Sequence, residues 1–341
     1  MSLTTNSKHS PVGISVIICC YNSSQRIGET LRHLARQQFP EDFRYEVLLV
    51  DNDSTDDTAA VARAIWDKEG PAGIPLRIVE ELRAGQMYAR DKGVKEAAYD
   101  SIVFCDDDNW LNPDYVYYAW KTLRENPTVG AAGGSNYPVT DAPAYPDWFP
   151  EHADKFALGV PGEESGIVNN RSFILGAGMV TRRKLFLAMY PDEHPTLLAG
   201  RNGSKLSTGD DFEYCKRLMI AGYDLYFEKR LSLKHFIPRQ RLMPEYLERL
   251  LAGINDATPT IELYDLALRA HRRNKKKNRW RMLLLSPFRI IFTKWGLMNR
   301  VLIDEKNTLY YLSPIDLGGS HEMKVIKKFF RYAKSVEPGK I

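Results

Sequence analysis

The chain has 341 residues, 44% hydrophobic and 26% charged, a balance that fits a folded globular protein with a core of normal size. No apolar run approaches the ~18 residues that a membrane-crossing helix needs. The polar start, residues 1–13, has no basic stretch leading into an apolar one, so no secretory signal is expected. Cys19, Cys20, Cys105 and Cys215 form no CxxC pair, and three of them lie in or at the ends of strand-like runs. They read as reduced core residues of a cytoplasmic protein. The net charge of +4 conceals an asymmetry: Leu266 to Ile303 holds eleven Lys or Arg and no acid, so the rest of the chain carries −7.

Residues 14–20, ISVIICC, form a β-branched run that Tyr21-Asn22-Ser23-Ser24 breaks. Ile27, Leu31, Leu34 and Ala35 then recur at helical spacing. EVLLV at 46–50 is a second strand, ending at Asp51-Asn52-Asp53-Ser54, and a helix follows from about Thr55 to Lys68. Leu76 to Val79 is a third strand, and Gly85 opens a helix whose apolar face holds Ala89, Val94, Ala97 and Ala98. Next comes IVFCDDDNWL at 102–111. Strands and helices in this alternation predict a parallel, doubly wound sheet, whose ligands bind beyond the carboxyl ends of the strands. Tyr21, Asn22, Asp51 to Asp53 and Asp106 to Asp108 all fall at such ends.

From about Asn126 the rhythm changes. Residues 129–180 are rich in Gly, Pro and aromatics, as expected for mixed sheet and cleft-shaping loops. TGDDFEYCKRLMIA at 208–221 reads as a helix with an acidic start, and 223–236 as a strand ending near His235. Beyond Pro244 the chain is expected to be mostly helical. This divides it into an α/β domain over 1–245, with halves 12–125 and 126–245, and a basic C-terminal extension over 246–341. Gly200 to Ser207 reads as a mobile loop.

The acidic stretch carries the chemistry. If the strand continues through it, side-chain alternation turns Asp106 and Asp108 to one side, ~7 Å apart along the strand. Two carboxylates so held repel unless a cation lies between them, and Mg²⁺ or Mn²⁺ with a phosphate meets that need. Taken alone, the stretch is equally well an acidic loop facing water. Asp210 and Asp211 start a predicted helix, where capping is the ordinary role of Asp210. Asp211 is the candidate general base. His235 is either structural or a third metal ligand. Arg239 and Arg241 are either solvated or a grip on a diphosphate. Arg90 is placed to pair with a strand-end carboxylate or to approach phosphate. No Walker A loop, GxSxG elbow or HExxH motif occurs, DNDSTDDT has Asp56 where a calcium loop needs Gly, and GAG at 176–178 lacks the third Gly of a dinucleotide fingerprint.

The order ISVIICCYNSSQRIGETLRHLARQ, EVLLVDNDSTDDT, GQMYARDKGVKEA, IVFCDDDNWLNPDYV and GDDFEYCKRL resembles the family 2 glycosyltransferases over roughly residues 12–240. The resemblance implies a GT-A fold, a Rossmann-like and mostly parallel sheet with helices on both faces. It implies a nucleotide-sugar donor, Mg²⁺ or Mn²⁺, and inversion of the anomeric centre. By the same resemblance Asp106 and Asp108 match the DxD motif, Tyr21 and Asp51 the nucleobase and ribose positions, Asp211 the catalytic base, and His235 a metal position. Asn22, Asp53, Arg90, Asp107, Arg239 and Arg241 are set on the donor side, with Asp107 expected to take the least part in metal binding. Asn52 and Asn109 depart from common Asp residues of the family. Such enzymes act in polysaccharide biosynthesis.

The expected reaction moves a sugar from a UDP- or GDP-sugar to a hydroxyl of a glycan or lipid-linked acceptor. Trp148, Phe149 and Asp210 fall on the acceptor side, where the aromatics serve either sugar stacking or packing. The basic segment 269–300, interleaved with Trp280, Phe288 and Trp295, is expected to dock on anionic lipid at the inner face of the plasma membrane, or to be a solvated helical face. Two rivals are a sugar-nucleotide nucleotidyltransferase, whose Gly-rich loop after the first strand is missing, and a non-catalytic nucleotide- or carbohydrate-binding protein of the same fold. Nucleic acid is not an expected partner, since the acidic body offers no second basic surface.

Overall fold

The structure, a computed structural model, describes residues 13–202, 206–276, 300–303, 309–312 and 320–341. The β-branched runs form strands, as expected. In chain order the first half holds β1 (Gly13–Cys20), α1 (Ile27–Ala35), β2 (Arg44–Asp51), α2 (Thr58–Glu69), β3 (Leu76–Glu80), α3 (Gln86–Glu96) and β4 (Ser101–Asp106). Short β5 (Asn109–Leu111), α4 (Tyr115–Glu125) and long β6 (Val129–Val139) follow. Next come α5 (Phe149–His152), β7 (Gly166–Ile167), β8 (Val180–Arg182), α6 (Arg183–Met189), α7 (Asp210–Ala221) and β9 (Asp224–Phe236). The chain continues with α8 (Pro244–Lys276), a hairpin of β10 (Arg300–Ile303) and β11 (Leu309–Leu312), and α9 (His321–Tyr332).

One nine-stranded sheet runs β3-β2-β1-β4-β8-β6-β9-β5, with β7 also paired to β9. The β3-β2-β1-β4 part is parallel. Beyond β4 the sheet is mixed: β8 is antiparallel to both β4 and β6, and β5 is antiparallel to β9. The parallel rhythm expected from the first half therefore stops at β4. The strand order reverses at β1, between β2 and β4, which opens a crevice at their carboxyl ends.

Alternate residues of β1 face two separate cores. Ile14, Val16 and Ile18 pack with Leu31 of α1, Trp66 of α2 and Ala119 of α4. Ile17 faces α3, α6 and α7 on the other side, with Phe186 and Leu218. Tyr264 and Leu268 of α8 and Phe329 of α9 belong to this second core. The segment after residue 245 thus completes the main core, and its hairpin shows that it is not helical throughout. The two halves of the α/β unit share the one sheet. Among the described residues no helix is long and apolar enough to cross a membrane. Residues 277–299, on which most of the expected membrane-docking segment falls, lie outside the described residues, as do residues 203–205 of the expected mobile loop. All four cysteines are free.

Helix α3 lies close on the sheet because position 93 has no side chain. A Cβ on Gly93 would sit 2.4 Å from Ile17 Cγ2 and 3.1 Å from Val50 Cγ2. Gly93→Val should therefore push α3 off the sheet and destabilise the fold by about 1–3 kcal/mol. Urea unfolding would show this as a lower midpoint with an unchanged slope.

Candidate active site

The carboxyl ends of β1, β2 and β4 open into a cavity of about 350 Å³. Tyr21, Asp53, Arg90, Asp106, Asp107, Asp108, Asp210, Asp211, His235 and Arg241 all line it, although they come from six separate stretches of the chain. The expected strand alternation is not what brings Asp106 and Asp108 together. Strand β4 ends at Asp106, and Asp107-Asp108 form a turn into β5. The Asn109 side chain closes that turn, its Oδ1 accepting from the Asp106 amide at 3.0 Å. An Asp at position 109 would also accept here. The Asn amide donates in addition to Asp108 Oδ1 at 3.2 Å, which a carboxylate could not do.

The sheet register then brings His235 to the turn. Asn109 pairs with His235 across β5 and β9, and the Phe236 amide donates to the Asp108 carbonyl at 2.8 Å. His235 Nε2 lies 3.3 Å from Asp108 Oδ1, and Arg241 Nη1 donates to Asp108 Oδ2 at 2.7 Å. Burial alone would raise the Asp108 carboxyl, but His235 and Arg241 beside it hold it well below the usual carboxylate range. Asp107 turns toward α1. It accepts from Arg26 Nη2 at 2.6 Å and from the Ser23 hydroxyl, while its carbonyl accepts from Thr30 Oγ1 at 2.8 Å. Asp107 therefore ties the turn to α1.

Helix α7 supplies the other wall. Gly209, not a side-chain cap, precedes it, and Asp210 accepts a hydrogen bond from the buried Arg90 of α3. The expected capping role of Asp210 is thus replaced by an ion pair across 120 residues of sequence. Asp211 Oδ2 accepts from the Gly176 amide at 2.9 Å and Oδ1 from the Phe212 amide at 2.8 Å. Gly176 permits this approach, since a Cβ there would meet Arg90 Nη2 at 2.9 Å and Asp211 Cβ at 3.3 Å. Burial, and then the neighbouring Asp210, push the Asp211 carboxyl up to about 6, against the pull of Arg90 and the two amides. Burial and then Asp108 also push Asp106 upward. Among the described residues, neither Asp106 nor Asp211 has a cationic side chain bonded to it.

Several expected residues lie elsewhere. Asn22 takes a left-handed backbone (φ 50°) and accepts from the Thr55 amide, and Asp51 accepts from the Ser54 amide. Both shape the turn at the mouth of the cavity. The Arg239 amide donates to Asp141 outside the cavity. Phe149 is not free for an acceptor, and Trp148 is half-buried beside it. Phe149 is 4% exposed and packs with Trp148, Phe156 and Leu250 of α8. The apolar stripe of α8 needs a partner, and these rings supply it.

The reading from sequence missed Arg26, Arg201, Gln86 and Lys155, which also line the cavity. Only Arg26 had a signal, a cation one turn past the first strand end. Asn52 is explained by its amide. It donates to the carbonyls of Glu81 and Arg83, both at 2.8 Å, and accepts from the Gly85 amide at 2.9 Å. Asp could not make the two donations.

A mixed sheet built on four parallel strands, with acidic residues at the carboxyl edge, is a GT-A-like α/β transferase architecture. Residues 15–186 match the model of glycosyl transferase family 2, and the chain belongs to that family. It is 29% identical over 136 residues to the poly-beta-1,6-N-acetyl-D-glucosamine synthase of Staphylococcus epidermidis strain RP62A, covering 39% of this chain and 31% of that one. The Staphylococcus aureus COL synthase of the same name is 28% identical over 123 residues, with 36% and 28% covered. The match thus spans less than a third of the length of these relatives. Among solved structures, S. aureus TarS 1–349 in complex with UDP aligns at 14% identity and TM-score 0.49, over 89% of this chain and 98% of that one. GalNAc-T7 with UDP, GalNAc and Mn²⁺ aligns at 13% and 0.48, over 67% and 44%.

One turn beyond Asp211 lies a wholly buried pair, Glu213 and Arg217. Glu213 accepts from the amides of Leu197 and Leu198, from Thr196 Oγ1 at 2.7 Å and from Tyr264 Oη at 2.7 Å. Arg217 donates to Glu213 and to the carbonyls of Met189, His194 and Pro195. The pair clamps residues 189–198 and α8 onto α7. Removing one partner leaves a buried charge, so Arg217→Met should cost about 3–5 kcal/mol of stability. Its denaturation midpoint should fall accordingly; a midpoint equal to that of the native protein would show the clamp to be dispensable.

Proposed function

We propose that the protein transfers a sugar from a UDP- or GDP-sugar to a hydroxyl of a glycan or lipid-linked acceptor, with inversion. One observation carries this reading: apart from the exposed Asp53, the cavity carboxylates without a bonded cation among the described residues are Asp106 and Asp211. In such a reaction one must meet the cation that accompanies the anionic donor and the other must take up a proton. The acceptor oxygen bonds to the anomeric carbon, the bond to the diphosphate oxygen breaks, and the hydroxyl proton passes to Asp211. Gly176 and Phe212 fix both oxygens of Asp211, while Arg90 holds Asp210 beside it. Arg241 offers its guanidinium to the departing diphosphate.

Mg²⁺ or Mn²⁺ requires hard oxygen donors, with an imidazole as an acceptable addition. Among the described residues no three His, Cys, Asp or Glu side chains are gathered closely enough to hold a metal ion. The chemistry nevertheless fits: Asp106 has no hydrogen-bond donor on its carboxylate among the described residues, and the buried Nδ1 of His235 has no partner. Asp106 would ligate the ion together with the donor's diphosphate, with Asp108 and His235 lining the same cavity beside it, and a bound metal supplies positive charge to the leaving diphosphate. The basic segment 269–300 would keep the enzyme at an anionic membrane surface on the cytoplasmic side.

Three outcomes test the assignment. A base must be ionised, so kcat/KM should rise as pH increases through about 6 and then level off. Asp211→Asn should lose about 10²–10⁴-fold in turnover while binding nucleotide normally; unchanged turnover rejects the role. Asp106→Ala should weaken Mn²⁺-dependent UDP binding by about tenfold or more, ~1.4 kcal/mol by calorimetry. Equal UDP affinity with and without Mn²⁺ in the native protein would reject a metal at this place.

A further inference from the structure

A second cavity, of about 400 Å³, opens behind Asp211. It joins the first, since Lys155, Ala157, Ala177, Thr208, Asp211 and Ile254 line both. Its walls are mainly aliphatic: Leu158, Ile174, Leu175, Ile254 and Ile261. Helix α8 forms one whole side through Ile254, Thr258 and Ile261, which its periodicity puts on one face. The Thr258 hydroxyl is spent on the Ile254 carbonyl at 2.8 Å, in its own helix.

The two cations around this space are engaged, and Glu262 is exposed. Lys155 pairs with Asp154 at 2.7 Å, and Arg171 Nη1 donates to the Pro161 carbonyl at 2.8 Å. Phe173 and Phe212 stack on each other, with centroids 4.3 Å apart, so no slot remains between them for a flat ring. A sugar ring needs directed donors and acceptors, and an anion needs unpaired positive charge. This wall provides little of either.

On the reading of Asp211 as the base that receives the acceptor proton, we infer that the acceptor carries an aliphatic chain close to the hydroxyl that is glycosylated. The chain lies in the second cavity, along the face of α8. The substrate class is accordingly an alkyl-bearing glycoside such as a lipid-linked sugar, and the C-terminal segment helps select it.

The test uses n-hexyl and methyl β-glycosides of glucose, galactose and N-acetylglucosamine, titrated by calorimetry into the full chain with UDP and Mn²⁺ present. For at least one sugar, the hexyl glycoside should bind about tenfold or more tightly than the methyl glycoside, because burying methylenes is favourable. Ile261→Gln and Phe173→Ser should each remove most of that difference, and a UDP titration of each variant reports that it is folded. Hexyl and methyl glycosides that bind alike would overturn the inference; a cavity filled by another part of the chain or by a second copy gives this result. A hexyl preference that survives both substitutions overturns it too. A native protein that binds neither UDP nor GDP overturns the nucleotide-sugar reading itself, and the acceptor assignment with it.

Discussion

The structure turns on the cost of gathering carboxylates where water is scarce. Asp106, Asp107, Asp108, Asp210 and Asp211 line one cavity at the end of buried strands. Like charges so close, and partly desolvated, can remain ionised only if opposite charge is brought to them. The fold does so selectively. Asp107 has Arg26, Asp108 has Arg241, and Asp210 has Arg90. Each cation comes from a different element, so each pair also staples two parts of the molecule. The two carboxylates left without a bonded cation are the two whose protonation is pushed upward by burial and by a neighbouring carboxylate. The arginine partners thus stabilise the fold and, by what they omit, define where charge remains to be used.

How these pairs form explains what was legible in the sequence. The strands were plain because β-branched runs such as ISVIICC and EVLLV have few alternatives, and their polar ends correctly marked the cavity edge. The family pattern likewise picked out Asp106, Asp108, Asp211 and His235, which do share one cavity. The reason first offered for Asp106 and Asp108, strand alternation, was not the one at work. A turn closed by Asn109 replaces the strand, and Asn109 has no significance until the turn is seen. The pairing of Arg90 with Asp210 could not be read either, because nothing local distinguishes a helix-start Asp that caps from one that reaches another helix.

The aromatics at 145–149 stayed open between two roles for a related reason. An exposed sugar platform and a buried packing patch have the same composition. What decides between them is α8, whose stripe of Leu247 and Leu250 must be covered. Sequence order made the region after residue 245 look like an addition to a finished domain. Tyr264 and Leu268 instead complete the core behind α7, and Tyr264 also bonds Glu213 at the centre of the buried clamp.

Helix α7 is therefore tied at both levels. Its first residues face the cavity, and its second turn is locked to α8 and to residues 189–198 by Glu213 and Arg217. A carboxylate that must meet a hydroxyl within hydrogen-bond reach gains from a helix that cannot shift. The same lock sets the relation between α7 and α8, and so fixes the width of the space between Phe212 on one helix and Ile254 and Ile261 on the other. The ion pair that anchors the candidate base is in this way also the element that dimensions the second cavity. Loosening it would disturb both together, whereas substitutions on the exposed face of α8 would leave both intact.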